Sequence, residues 1–537
     1  MASLNTRQGV LGARLANHLL RRTTYRITPE RIADFATKTA SEAVNELFVL
    51  PPYVHPEGPI DWVNGENTPW LTTGPYEMNP DNAGRQRNAV WFWLCNEMMH
   101  DSSIRHKMML FWHSIFVTEI ETDWRIFDLV RLFQFYALGN IKTLSYKVTL
   151  DNKMLRYLNN NANKKDSPNE NYAREFLELF TILKGEQIGD GNYSNYTEHD
   201  IQQAARVLTG FRDTSFDNKD PETGLATGYG NYNNHDRGNK KFSVAFDFQT
   251  ILGATSAEDM YREFQEFVDM IFNKVETARS FVRRLYRFFV SDRLTEEIET
   301  DIIHPLADQL YNDGYEVQNT LISLLTSVHF YDEDDSDASN EIIGGKIKSP
   351  LELYLTSINL FKSNQLGVLN DNADNYYGIG HWFIENNLKP MGFSFYPMSV
   401  EGYPGFFKAP GFSKSWFDQA NIASRYKLTY TLLQGRTIQS NRTIPFQTNI
   451  VAFVTNQFSN QEYADELVQQ LLAIAFPELP TGERYEYFRQ KLLGALSPIN
   501  WMFEWQNYVN TGDDSAVRVA LTDLFEAVVG SPEYQTF

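Results

Sequence analysis

Three side chains in this 537-residue chain could carry acid–base chemistry from strongly patterned surroundings: Glu175, His235 and Asp236. Glu175 lies within Asn169-Glu-Asn-Tyr-Ala-Arg-Glu-Phe-Leu-Glu-Leu-Phe-Thr181. A carboxylate desolvated between helices has its pKa raised towards neutrality, where it serves as a general base or a metal ligand. His235 and Asp236 open a polar run ending at Lys241 and would transfer protons or ligate. Asn171, Arg174, Arg206 and Lys240 supply contacts for an anionic or polar substrate. Carboxylate and imidazole without thiolate suit hydrolysis, with or without a hard or borderline metal. No Gly-x-Ser-x-Gly elbow, phosphate loop or dinucleotide fingerprint occurs, which argues against serine hydrolase, nucleotide and Rossmann chemistry.

No cofactor is identified, and a divalent metal would draw on His113 and Glu178. Glu119, Glu121 and Asp123 follow His113 closely, either as further ligands or as solvated loop carboxylates. His106 and His113 share a helix face, but two turns separate them by roughly 10.5 Å of rise, too far for one ion. The aligned charges also fit an internal ion-paired network of Asn171, Arg174, Glu175, Arg206 and Arg283, a structural alternative that stays open at this stage.

These groups need elements to position them. In 169–181, Tyr172, Phe176, Leu179 and Phe180 recur at helical spacing as one apolar stripe, with Glu170, Arg174 and Glu178 along a neighbouring ridge. A second helix opens at Thr197, which can cap it with Asp200 in the capping-box position, and stops at Gly210. Further helices are read over 10–22, 28–48, 85–116, 123–139, 149–160, 256–274, 277–291 and 314–330, the second started by Thr28-Pro29. Arg283 and Arg287 are spaced to reach the Glu175 and Glu178 ridge. The proline-rich stretch 51–84 and the aromatic stretch 370–412 read as long ordered loops, the latter either lining a cleft or packing on the core.

The fold class is therefore mostly α: a large helical protein with long ordered loops and little or no sheet. The acidic segment 332–337 separates an N-terminal helical lobe, 1–335, from a C-terminal lobe, 341–537, packed closely on it. That segment fails as a calcium loop, because Asp337 replaces the turn glycine and Ile343 the bidentate glutamate.

A net charge of −20 with only short basic clusters argues against nucleic-acid binding. The lone Cys95, in an apolar run, excludes an intrachain disulfide and reads as a buried thiol. No apolar run approaches the roughly 18 residues of a membrane span. The start, Met-Ala-Ser-Leu-Asn-Thr-Arg, has no hydrophobic signal region, giving a cytoplasmic expectation as numbered, with export by another route left open. Aromatic residues at 14% are read first as interhelical packing.

The 169–181 segment, Tyr196-Thr-Glu-His-Asp-Ile201, Ala204-Ala-Arg-Val-Leu-Thr-Gly-Phe211 and His235-Asp-Arg-Gly-Asn-Lys240 together resemble the bacterial family catalogued as domain of unknown function 1800. Its other hallmarks follow in order: His18-Leu-Leu-Arg-Arg-Thr-Thr24, Met109-Leu-Phe-Trp-His113, Thr277 to Phe289, Lys348-Ser-Pro350, Ser399-Val-Glu-Gly-Tyr-Pro-Gly405 and Ser531-Pro-Glu-Tyr-Gln535. After His113 the family pattern commonly continues into a second histidine, and here Ser114 and Ile115 stand instead. The resemblance implies a partner, a sulfatase-like protein encoded nearby, and no established activity. Two functions follow: a carboxylate/histidine hydrolase-like or metal-assisted enzyme, or a non-catalytic binding or assembly protein. They are distinguished by whether Glu175, Arg206 and His235 line an open cleft or are buried and fully paired.

Overall fold

The computed structural model describes residues 2–53, 83–118, 125–214, 218–334, 342–362, 379–397, 399–434, 437–438, 442–443 and 446–537. The chain is mostly helical, and its only regular sheet among these residues is four antiparallel pairs of two short strands each. Glu119, Glu121, Asp123, most of the 51–84 loop, Asp337 and the first part of the 370–412 loop lie outside the described residues.

Helix starts follow local capping chemistry. Thr197 and Asp200 form a reciprocal capping box at the head of helix Glu198–Val207, and Thr28 caps a helix with Pro29 at its first position. Two long helical patterns are broken where polar side chains compete for backbone groups. The 28–48 pattern divides into Pro29–Ala36 and Ala40–Leu47, because Thr39 and Glu42 build a second capping box. The 85–116 pattern divides into Ala83–His100 and Arg105–Ile115. Asp101 accepts from Ser103 N at 2.8 Å and pulls the intervening backbone out of the helix.

The aromatic residues are largely core. Trp91, Trp112, Tyr172, Tyr196, Tyr286 and Tyr354 are fully buried. Phe395 stacks on Trp91 with ring centroids 4.2 Å apart, and Phe393 stacks on Tyr403 at 5.1 Å. Such pairs add about 0.5–1.5 kcal/mol each beyond area burial. Phe395 thus docks onto helix Ala83–His100 through its ring, while Phe393 and Tyr403 stack on each other within the loop. Gly402 sits at φ +95, where a Cβ would stand 2.7 Å from the carbonyl oxygen of Ser114. Only glycine allows the loop to cross the end of helix Arg105–Ile115 so closely.

The two halves of the chain are tied through buried polar contacts. Lys107 pairs with Glu352 at 2.6 Å, and Arg22 donates to the carbonyls of Ile342 and Phe537 at 2.7 and 2.8 Å. His18 hydrogen-bonds the Phe330 carbonyl at 3.0 Å, and Cys95 is buried with its thiol pKa pushed up by desolvation. No helix among the described residues is long and apolar enough to cross a membrane.

Candidate active site

The predicted site residues separate into two clusters. The first forms where the 235–241 loop lies on helices Glu198–Val207 and Ala257–Phe272. His235 is completely buried; its Nδ1 bonds the Thr209 carbonyl at 2.7 Å and its Nε2 meets Glu263 Oε2 at 3.1 Å. Glu263, equally buried, pairs through its other oxygen with Lys240 Nζ at 2.5 Å and accepts from Ala254 N at 2.8 Å. Burial lowers the Lys240 pKa, and the Glu263 carboxylate opposes that shift. Arg206 grips Asp236 with two parallel bonds, Nε at 2.8 Å and Nη2 at 3.1 Å. Burial alone would raise the Asp236 pKa; its bonds to Arg206 and Gly238 N outweigh that and hold it low. Gly210, at φ +85, makes the turn that allows this packing, since a Cβ there would meet Asn231 O at 2.7 Å. Each ionisable group in this cluster is answered by a partner.

The second cluster surrounds Glu175. The helix read over 169–181 is α only from Asn171 to Glu175 and continues as a π-helical turn from Phe176 to Phe180. Thr181 Oγ1 donates back to the Phe176 carbonyl, and Arg284 donates to the carbonyls of Leu179 and Thr181, both at 2.9 Å. This wider turn places Glu175 against buried surface without a hydrogen bond or ion pair to any described side chain. Burial, then the neighbouring Glu178, pushes its pKa up to about 7. Leu183, two residues beyond the turn's end at Thr181, sits at φ +65, a left-handed conformation costing of order 1–3 kcal/mol for such a residue. π-turns and backbone strain both concentrate at functional sites.

Next to this turn lies a cavity of about 190 Å³. Its lining includes Leu179 of the turn and Leu183 beyond it, Phe111 and Ser114, Arg284 and Arg287, and Val400, Glu401, Phe406 and Phe407. Glu401 in the lining is exposed and lies near enough to Glu175 to contribute to its raised pKa.

Arg174 makes a bidentate pair with Glu198, at 2.9 and 2.6 Å, on a half-exposed surface. Asn171 is exposed. Glu178 is held by Lys184 and by Tyr196 Oη at 3.3 Å. His113 is buried, its Nδ1 bonded to Tyr403 Oη at 3.1 Å, and its pKa falls to about 3 through burial and the nearby Lys153 charge. His113 and Glu178 are thus engaged separately. Among the described residues no group of three or more His, Cys, Asp or Glu side chains is placed to hold a metal ion.

The expected reach of Arg283 and Arg287 to the Glu175 ridge is corrected: Arg283 pairs with Glu299 at 2.8 Å, and Arg287 lies in the cavity wall over the Phe412 ring. Arg284 faces the π-turn instead, because consecutive helix positions differ by about 100° of rotation.

Glu263 and Glu401 were not singled out as site residues by sequence reasoning, and Arg287 was singled out only as a reach to the Glu175 ridge. Glu263 had a readable signal, since it falls on the apolar face of its helix among Met260, Phe264 and Phe267. Glu401 had none beyond its place in the 399–405 stretch, and the helical spacing that marked Arg287 pointed it to the wrong partner.

A family model described as protein of unknown function (DUF1800) matches residues 18–536, so the chain belongs to that family. No curated protein and no solved structure matches it. Four of the stretches that carry the family resemblance, 109–113, 169–181, 277–289 and 399–405, each contribute a wall of the cavity through Phe111, Leu179, Arg287 and Glu401.

Proposed function

We propose that this member of the family is a hydrolase-like acid–base enzyme in which Glu175 is the working group, acting beside the cavity bounded by Leu179, Arg287 and Glu401. The observation that carries the reading is the state of Glu175: half-buried, without a bonding partner among the described residues, and with its pKa at about 7. A carboxylate in that state accepts a proton from an attacking water and returns it to a leaving group near neutral pH. The 235–241 cluster takes a structural role in this proposal, since His235, Asp236 and Lys240 are saturated by Thr209, Glu263 and Arg206. Among the described residues a divalent metal has no assembled ligand set to support it, and the reading does not require one.

The test is the thermal midpoint of Glu175→Gln. Removing a desolvated charge that has no partner leaves the midpoint unchanged or raises it. A clear fall would mean that Glu175 is part of a supporting ion-pair network, and the acid–base role would be lost.

The second reading, a binding or assembly protein working with a sulfatase-like partner, is favoured by the saturation of the 235–241 cluster. Co-purification of the two full-length proteins tests it, and a stable complex unaffected by Glu175→Gln would favour it over catalysis. On either reading we place two closely packed lobes at 1–335 and 341–537. The buried Lys107–Glu352 pair supports their close packing. A protease site inserted at 335–341 should, once cut, leave the two halves associated on gel filtration.

A further inference from the structure

From the chemistry of the cavity wall we propose a ligand class: a small apolar molecule bearing one carboxylate, held with that carboxylate on Arg287. This rests on the reading of the cavity as the working site. Of its two guanidinium groups, Arg284 is saturated by the carbonyls of Leu179, Thr181 and Ser280, at 2.9, 2.9 and 3.2 Å. Arg287, almost one turn further along the same helix, forms no side-chain hydrogen bond or ion pair with any described residue. Its Nε is buried without a partner, and its guanidinium lies 4.9 Å from the Phe412 ring centroid. A guanidinium in this state presents an unused fork of donors that matches a carboxylate bidentately.

The rest of the wall selects the body of the ligand. Phe111, Ile115, Leu179, Val400 and Phe406 are apolar, so a polar or highly charged molecule would lose hydration there without compensation. The exposed Glu401 carboxylate in the lining repels a dianion more strongly than a monoanion, and a single free guanidinium is a poor match for phosphate, which needs several donors. The volume, about 190 Å³, lies below the roughly 300–1,000 Å³ of pockets for drug-sized ligands, so the apolar body is short.

The test titrates the full-length protein by calorimetry with 3-phenylpropanoate, 3-phenylpropanol and inorganic phosphate. The expected result is a preference for the carboxylate over the alcohol of about tenfold, the equivalent of one added charge-assisted pair. Arg287→Gln should abolish that preference, Arg287→Lys should keep part of it, and Leu179→Trp, which fills the cavity, should remove binding of both compounds. The proposal is overturned if wild type binds neither compound, binds them equally, or binds phosphate but not 3-phenylpropanoate. It is equally overturned if folded Arg287→Gln retains the preference. Should Arg287→Gln not fold, the wild-type ratio together with Arg287→Lys and Leu179→Trp decides.

Glu175→Gln, titrated in parallel, separates this from the parent reading. An intact preference with a lowered thermal midpoint rejects the acid–base role and keeps the ligand class. Absence of the preference in wild type, with a raised midpoint in the variant, rejects the ligand class alone.

Discussion

The 235–241 loop and the 176–180 π-turn both press ionisable side chains against buried surface, yet they treat those charges in opposite ways. In the loop, Lys240, Glu263 and His235 form a completely buried chain in which every charge faces a partner. At the π-turn, Glu175 and Arg287 are partly desolvated and bonded to no described side chain, while Glu178 and Arg284 beside them are saturated. Buried charges that are paired hold a fold together, whereas charges held unpaired impose a cost that folding alone gives no reason to keep. Saturation therefore separates the structural part of the polar network from the part available for chemistry.

The strongest way to break this contrast is to remove one member of the buried chain. Lys240→Met leaves Glu263 with only His235 and a backbone amide, and it should cost about 3–5 kcal/mol in urea unfolding. A loss below about 1 kcal/mol would mean that the loop cluster is not what fixes this region. Gly210→Ala should follow, at about 1–3 kcal/mol, because alanine at φ +85 is strained and its Cβ would meet Asn231 O. Tyr403→Phe removes the hydrogen bond to buried His113 and should lower stability by about 1 kcal/mol, readable as a small shift in the same unfolding curves.

The smallest effect should carry the opposite sign. The folded-state pKa of Glu175, about 7, lies above its unfolded value near 4.5, so the folded protein binds this proton more tightly. Its contribution to stability is therefore fully present below pH 4.5 and is lost as pH rises to about 7. Glu175 is only half-buried, so the loss is reduced by solvent screening to about 1 kcal/mol or less. The difference in midpoint between wild type and Glu175→Gln should grow in favour of the variant across that window and level off above it. Asp236 behaves conversely: its lowered pKa contributes stability above the unfolded value, lost as pH falls through the folded one. Asp236→Asn should thus be most damaging at neutral pH and progressively less so in acid.

Much of the fold was legible from local chemistry. The Thr197–Asp200 capping box, the stop at Gly210, the helical stripe through Tyr172 and Phe176, and the mostly α class all follow from short-range rules that the backbone obeys wherever it lies. The break at Thr39-Ala-Ser-Glu42 was readable by the same rules, being a capping-box sequence inside a longer apolar pattern. The turn at Asp101 was harder to see, because the apolar periodicity runs on through both helices.

The candidate site divides along the same line. The sequence by itself determined which groups are chemically capable, Glu175, His235, Asp236 and the arginines, since residue type and helical spacing are local properties. Only the tertiary structure decided which of them remain available. That depends on Glu263 arriving from a helix 28 residues away to saturate His235. It depends equally on Glu401 and Gly402 crossing Ser114 to close a cavity over Arg287. Whether a charge is paired is set by desolvation and by partners distant in the chain, and no periodicity within a single element encodes either.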